Sequence, residues 1–266
     1  MSLEWSGYRS ARRRSRQAWV LVTAGALAVV VGIGWFFTVG QFLIFSPSMS
    51  GPSEVAVLDS GWMGPVRQPH QVPRERASVV LELLAVKERA SSDGYDRDHF
   101  GQAWADVDRN GCDTRNDILR RDLAAPVFAP QSRCTVVSGA FREPYTGANV
   151  EFTRGAESSK VVQIDHVVAL GDAWQKGAQE MTLQQRQSLA NDPLNLIAAD
   201  GTANQDKGAG DASQWLPPNR TLRCHYVARQ ISVKTAYGLW VTQAERNAMR
   251  DVLGRCPEQQ TIRPEK

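Results

Sequence analysis

The sequence predicts an α+β domain preceded by a single membrane-spanning helix. Three observations carry that prediction: an uncharged apolar stretch near the N-terminus, two short β-branched or apolar runs at 160–164 and 193–197, and helical patterning with capping signals around them. A length of 266 residues admits one large domain or two small ones. With 42% hydrophobic and 22% charged residues a packed core is possible, and a wholly disordered or fibrous chain is excluded.

The first element is a basic leader, residues 1–17. Arg9, Arg12, Arg13, Arg14 and Arg16 against Glu4 give it +4, so the rest of the chain carries −1 of the total of +3. The basic excess is a topology signal rather than a nucleic-acid footprint. Residues 17–53 hold no ionisable side chain, and the 23 residues 18–40 are almost wholly apolar. At ~1.5 Å per residue they reach about 34 Å, enough to cross the ~30 Å hydrocarbon core of a bilayer. Trp19 at one end and Trp35, Phe36 and Phe37 at the other suit the interfacial belts, and the arginines place the N-terminus in the cytoplasm and the remainder outside. A cleaved signal peptide is the alternative, although the run exceeds a usual h-region. Residues 41–77, rich in Pro, Gly and Ser, read as a tether.

The globular domain is expected over 78–256, with 257–266 as a tail. Val79, Val80, Leu83 and Leu84 share a helical face, and Phe100, Ala103, Trp104 and Val107 suggest a second short helix. Residues 160–164 (KVVQI) read as a buried strand. Thr182 opens a helix over 182–190, and residues 193–197 form a second strand after a turn. Two helices, near 221–236 and 242–253, close the domain, the second with Thr242 and Glu245 as a capping box.

Cys112, Cys134, Cys224 and Cys256 all follow the apolar span, which agrees with an oxidising exterior. Four cysteines permit three pairings; Cys112–Cys134 and Cys224–Cys256 are favoured because each closes a short loop. A zinc site would need closely spaced ligand pairs, which are missing.

Asp165-His166 follows the first strand, Asn195 sits in the second, and Asn204 begins NQDKGAGD with Lys207 three residues on. This order of strand, strand and helix start resembles the HNH (ββα-metal, His-Me finger) endonucleases. The segments GYDRDHFGQAWADVDRNGCDTRNDILRRDL (94–123), QIDHVVALGDAWQKGA (163–178) and NDPLNLIAADGTANQDKGAGDASQWLPP (191–218) resemble more nearly the secreted HNH-family proteins of actinobacteria. Those share a domain with the C-terminal part of certain modification-dependent restriction enzymes. The resemblance covers about 78–256 and implies a ββα-metal core with additional helices.

Its chemistry has a physical logic. Phosphodiester hydrolysis needs an activated water, neutralised phosphate charge and a stabilised leaving oxygen. A histidine is largely neutral near pH 7 and so suits the first task, which makes His166 the candidate general base. By the resemblance, Asp165 and the Asn204 carbonyl hold one Mg²⁺ or Mn²⁺, with Asp206 a rival for the Asn204 place. Asn195 accepts the other ring N–H of His166, and Lys207 holds a phosphate near a helix start. The step of 29 positions from His166 to Asn195 exceeds that of a compact HNH motif and implies an insertion. Asp98-His99 and Asn191-Asp192 read as cap and turn chemistry, His225 as structural, and His70 carries no signal.

A second motif, Asp106-x-Asp108-x-Asn110-Gly111 with Asp117 at the twelfth place, matches the start of a Ca²⁺-binding loop. Asp113 stands where an apolar residue is usual, and Asp117 replaces the bidentate Glu. The rival role is a brace for the active site, with Arg115 on phosphate and Asp106, Asp108 and Asp113 holding it; a polar turn stapled by Cys112 is the plain alternative. These readings predict a membrane-tethered, extracytoplasmic, metal-dependent nuclease acting on nucleic acid, DNA before RNA, with no organic cofactor. The competing class is a non-catalytic, calcium-stabilised surface module.

Overall fold

The structure, a computed structural model, describes residues 72–155 and 158–263. Among the described residues no helix is long and apolar enough to cross a membrane. The expected span at 18–40, the basic leader and the tether as far as residue 71 lie outside the described residues.

The chain is mixed α+β, as expected. α1 (Ala77–Leu83) is followed by a 3-10 turn at Arg97–Phe100 and by α2 (Thr114–Asp122). Three strands, β1 (Ala124–Phe128), β2 (Val136–Arg142) and β3 (Asn149–Thr153), form an antiparallel meander. The short α3 (Ser158–Val161) leads into β4 (Val162–His166); α4 (Leu170–Trp174) and α5 (Leu183–Asn191) intervene before β5 (Leu196–Asp200). β4 and β5 pair antiparallel, with Asp165 opposite Ile197 and His166 opposite Leu196. α6 (Gly201–Lys207), α7 (Arg223–Tyr237) and α8 (Gln243–Leu253) complete the order.

Local chemistry accounts for these boundaries. The Asp113 carboxylate caps α2 by accepting the Asn116 N–H, and Thr182 with Gln185 forms a reciprocal capping box on α5. Thr242 caps α8 through the Glu245 N–H, but the Glu245 side chain turns into the core, so the expected reciprocal box is only half made. Asp192 closes the turn before β5: its carboxylate accepts the Leu194 N–H and its carbonyl accepts the Asn195 N–H, each at 2.8 Å. The strand therefore starts at Leu196 rather than Pro193, and Asn195 belongs to the turn.

α6 also differs from expectation. Its N-cap is Asp200, so Asn204 lies mid-helix and Lys207 is the last helical residue. The ammonium is at the end that favours cations, not at the helix start. Gly201 is required, since a Cβ there would overlap the Lys160 carbonyl oxygen, and Gly208 at φ 52° ends the helix directly after Lys207.

Among the described residues, three apolar clusters make up the core. One joins α1, α7 and α8 through Leu81, Val227, Ile231 and Met249; one lies around α4 and α5 through Ala173, Leu189 and Val233; the third joins α2, the meander and the β4–β5 pair through Leu119, Phe152, Val162 and Leu196. In α1 it is Ala77, Val80 and Leu81 that are buried, while Val79 and Leu83 face solvent. The expected helix around Phe100–Val107 is only a 3-10 turn followed by bends. The packed unit also reaches past 78 and 256: Ala77 N–H donates to Gln259, Thr261 N–H to Glu75 and Ile262 N–H to Ser232 Oγ. Both favoured disulfides, Cys112–Cys134 and Cys224–Cys256, are formed.

Candidate active site

β4 ends in Asp165-His166, and the next residues must leave the strand without exposing their amides. Val167 N–H donates to the Asn195 carbonyl at 2.7 Å, and the fully buried Asn195 side chain continues the seam. Its Oδ1 accepts the Val168 N–H at 2.8 Å, while Nδ2 reaches the carbonyls of Val168 and Leu189, each at 3.3 Å. Asn195 thus staples the exit of β4 to the end of α5. The expected bond to the His166 ring is not made, because every polar atom of the amide is committed to backbone.

The ring is held by another partner. His166 Nε2 lies 2.9 Å from the Ala190 carbonyl oxygen. A carbonyl only accepts, so Nε2 carries the proton and Nδ1 is left with its lone pair. The side chain is 7% exposed, and burial pushes the imidazole down to about 4, against the raising effects of Ala190 and Asp165. The ring is neutral at physiological pH. The Trp104 indole lies nearly parallel to it, at 15° with centroids 6.4 Å apart.

Asp165 faces a different set of groups. Tyr145 OH donates to Oδ2 at 2.5 Å and Lys207 Nζ to Oδ1 at 3.0 Å; Lys207 also reaches the His166 carbonyl at 2.9 Å. Lys207 is buried with its charge matched, which corrects the expectation of a side chain free for phosphate. Burial, followed by the neighbouring Asp165 charge, raises the Tyr145 phenol well above its ordinary value, so it remains a donor. Sequence reasoning missed Tyr145, whose surroundings carry no catalytic pattern.

Asp165, His166 and Asn204 line one cavity of about 310 Å³. Asp206 is exposed and borders a neighbouring cavity instead, which favours Asn204 over its rival. Among the described residues no group of three His, Cys, Asp or Glu side chains is arranged to hold a metal. Asp165 and Asn204 nevertheless both bring oxygen lone pairs to the cavity, the donor type that a hard cation takes. Asn204 Nδ2 donates to Gln163 Oε1 at 2.8 Å, which leaves the Oδ1 lone pairs free. Asp165 has accepted one donor on each oxygen, and a carboxylate offers about four lone-pair sites. The Lys207 charge weakens such a site.

The 106–117 segment closes on itself. Asp106 accepts the amides of Asn110 and Gly111, Asp108 accepts the Asn110 amide and side chain, and Asn110 Oδ1 accepts the Cys112 amide. Asp117 lies beside Arg120, and its carboxyl is raised mainly by burial. Arg115 donates to the Val162 carbonyl at 3.4 Å, and burial lowers its guanidinium. Among the described residues no carboxylate hydrogen-bonds Arg115: Asp113 bonds Asn116, although its charge acts on the guanidinium from nearby, and Asp106 and Asp108 bond within their own loop. Asp98-His99 is structural, since Asp96 is the cap and His99 stacks on Trp174.

Residues 113–252 match the family described as GmrSD restriction endonucleases, C-terminal domain. The chain is also 38% identical over 195 residues to an uncharacterized secreted protein of Arthroderma benhamiae (strain ATCC MYA-4681 / CBS 112371), covering 72% of this chain and 91% of that one. No solved structure matches. The domain is of the class found at the C-terminus of GmrSD restriction endonucleases, and the chain belongs to that C-terminal-domain family. Family membership points to a nuclease-type function and hence to a nucleic-acid substrate.

Proposed function

We propose that the protein is an endonuclease of HNH type that hydrolyses phosphodiester bonds of DNA outside the cytoplasmic membrane, with His166 as general base. The observation that carries this reading is the neutral imidazole whose Nε2–H donates to the Ala190 carbonyl, leaving Nδ1 to accept a proton. In the proposed reaction Nδ1 takes the proton of the attacking water, the water oxygen bonds to phosphorus, and the P–O3′ bond breaks with its electron pair leaving on O3′, which takes a proton from solvent water. The Ala190 carbonyl holds the ring in that tautomer, and Asn195, by stapling the exit of β4 to the end of α5, keeps the residue in place, a positioning role without contact to the ring. Lys207 and Tyr145 orient the Asp165 carboxylate.

A Mg²⁺ or Mn²⁺ ion held by Asp165 and Asn204 would supply phosphate charge neutralisation and leaving-group stabilisation. An exterior location is supported by two disulfides and by a relative described as secreted. Residues 18–40 would provide the membrane attachment.

The test is plasmid cleavage by the purified full-length chain with Mg²⁺ or Mn²⁺. His166→Ala is expected to lose at least about 100-fold in rate. Equal rates for the two proteins overturn the reading.

A further inference from the structure

The segment that precedes the Asp106 loop runs across α4 and α5 and is fixed there at several points. Asp93 carbonyl accepts from the Trp174 indole at 3.4 Å, His99 carbonyl from Arg186 at 2.6 Å and Gln102 carbonyl from Asn191 at 3.4 Å. The Asp96 carboxylate accepts the Asp98 N–H at 2.9 Å and so sets the start of the 3-10 turn at Arg97. The backbone of Arg97 is thereby held in place, while its side chain is exposed.

Two cavities meet at His166, the one of about 310 Å³ that also holds Asp165 and Asn204 and a smaller one of about 30 Å³ beside Trp104. Among the described residues, Arg97, His166 and Leu170 alone line both. The other cations near the centre are committed: Lys207 to Asp165 and the His166 carbonyl, Arg115 to the Val162 carbonyl. Among the described residues, Arg97 is the cation bordering these cavities whose head makes no hydrogen bond and no ion pair.

A domain whose sequence outside the leader is close to neutral must grip a polyanion through a few placed charges. A guanidinium suits that task because its planar fork matches two phosphate oxygens. We propose that Arg97 binds the phosphate of the nucleic-acid strand at the His166 cavity, as a bidentate clamp on the diester being cut. This inference rests on reading His166 as the base. It adds the substrate-binding cation that Lys207, tied to Asp165, does not provide.

Cleavage kinetics of full-length Arg97→Gln and Arg97→Lys test it, alongside thermal melting. Arg97→Gln is expected to lose about 100-fold in kcat/KM. Arg97→Lys recovers only part of the loss, since an ammonium keeps the charge but not the fork, and both variants melt with wild type. Cleavage by Arg97→Gln at the wild-type rate overturns the inference while leaving His166 untouched.

If the wild-type chain cleaves nothing, the nuclease reading falls and a second measurement decides Arg97. Inorganic phosphate is titrated while the Trp104 indole and Leu170 methyl resonances are followed by NMR. Shifts present in wild type and lost in Arg97→Gln uphold the phosphate site. Identical shifts in both proteins, or none in either, overturn it.

Discussion

Lys207 Nζ lies 3.0 Å from Asp165 Oδ1 and 2.9 Å from the His166 carbonyl oxygen, with both side chains buried. The ammonium therefore ties the end of α6 to the end of β4 and balances the carboxylate at the cavity wall. Lys207→Met would leave Asp165 charged without its counterion, which costs about 3–5 kcal/mol. Thermal melting of that variant is expected to fall by several degrees or more. A Lys207 whose only role was to contact phosphate would give the opposite pattern, an unchanged melting temperature with a raised KM.

The His166 environment sets a pH dependence whose sign is fixed. Burial lowers the folded pKa from 6.5 to about 4, so the unfolded chain takes up a proton first as pH falls. The contribution is fully present above the unfolded value and is lost progressively between about pH 6.5 and pH 4, amounting to about 3 kcal/mol over that window. Denaturant melts at pH 7, 5 and 4 should show this loss in wild type and a flatter profile in His166→Asn. Cleavage should keep its general base down to about pH 5 and lose it as pH approaches 4. An equally steep stability profile in His166→Asn would remove the buried neutral imidazole as its cause.

Asn195 joins three backbone groups from two segments, so its replacement separates structure from chemistry. Asn195→Ala leaves the Val168 N–H and the carbonyls of Val168 and Leu189 without their partner, at about 1–3 kcal/mol for each buried group left unsatisfied. Asn195→Asp places an oxygen against two carbonyls and is expected to be worse than Ala. Hydrogen exchange at the Val168 amide should accelerate in both variants. In the cleavage assay, kcat falls more than KM rises, because the loosened seam displaces the base rather than the substrate.

Elements governed by local chemistry were legible before the fold was known. Thr182 and Gln185 cap α5, α7 and α8 fall within two residues of their expected bounds, and both disulfides pair as favoured; the strand expected over 160–164 lies two residues later, so Asp165 and His166 are its last residues instead of following it, and residues 160 and 161 belong to α3. The meander was not legible: β1 contains Pro126, β2 is interrupted by Ser138-Gly139, and neither shows clean alternation. The partners within the site were equally hidden. Tyr145 reaches Asp165 only because the turn after β2 folds onto β4, and Asn195 meets backbone instead of imidazole because the Asp192 turn delays β5 by three residues. Register and tertiary approach decide such contacts, and neither is written in spacing along the chain.

The largest feature absent from sequence reasoning is a buried ionic cluster beneath α4. Asp172 in α4 and Lys176 just after it are four residues apart and both buried. Lys176 Nζ contacts Asp172 at 2.7 Å, Asp211 at 2.7 Å and Glu245 at 2.6 Å; Lys234 contacts Asp172 and Glu245, and Arg89 contacts Asp172 and Asp211. Three cations thus balance three carboxylates across α4, the chain after α6, α7 and α8. Lys176→Met would leave three carboxylates against two cations and is expected to cost about 3–5 kcal/mol, with a partial recovery in Lys176→Met/Glu245→Gln, where the charge balance returns. Acid titrates the same cluster. Burial would raise the Asp211 carboxyl, but the Lys176 ammonium and Ser213 outweigh it and hold it at about 2, so its contribution is present above about pH 4 and is lost as pH falls toward 2. Stability curves of wild type and Asp211→Asn should therefore converge below pH 4. Curves that stay parallel down to pH 2 would exclude Asp211 as the titrating group.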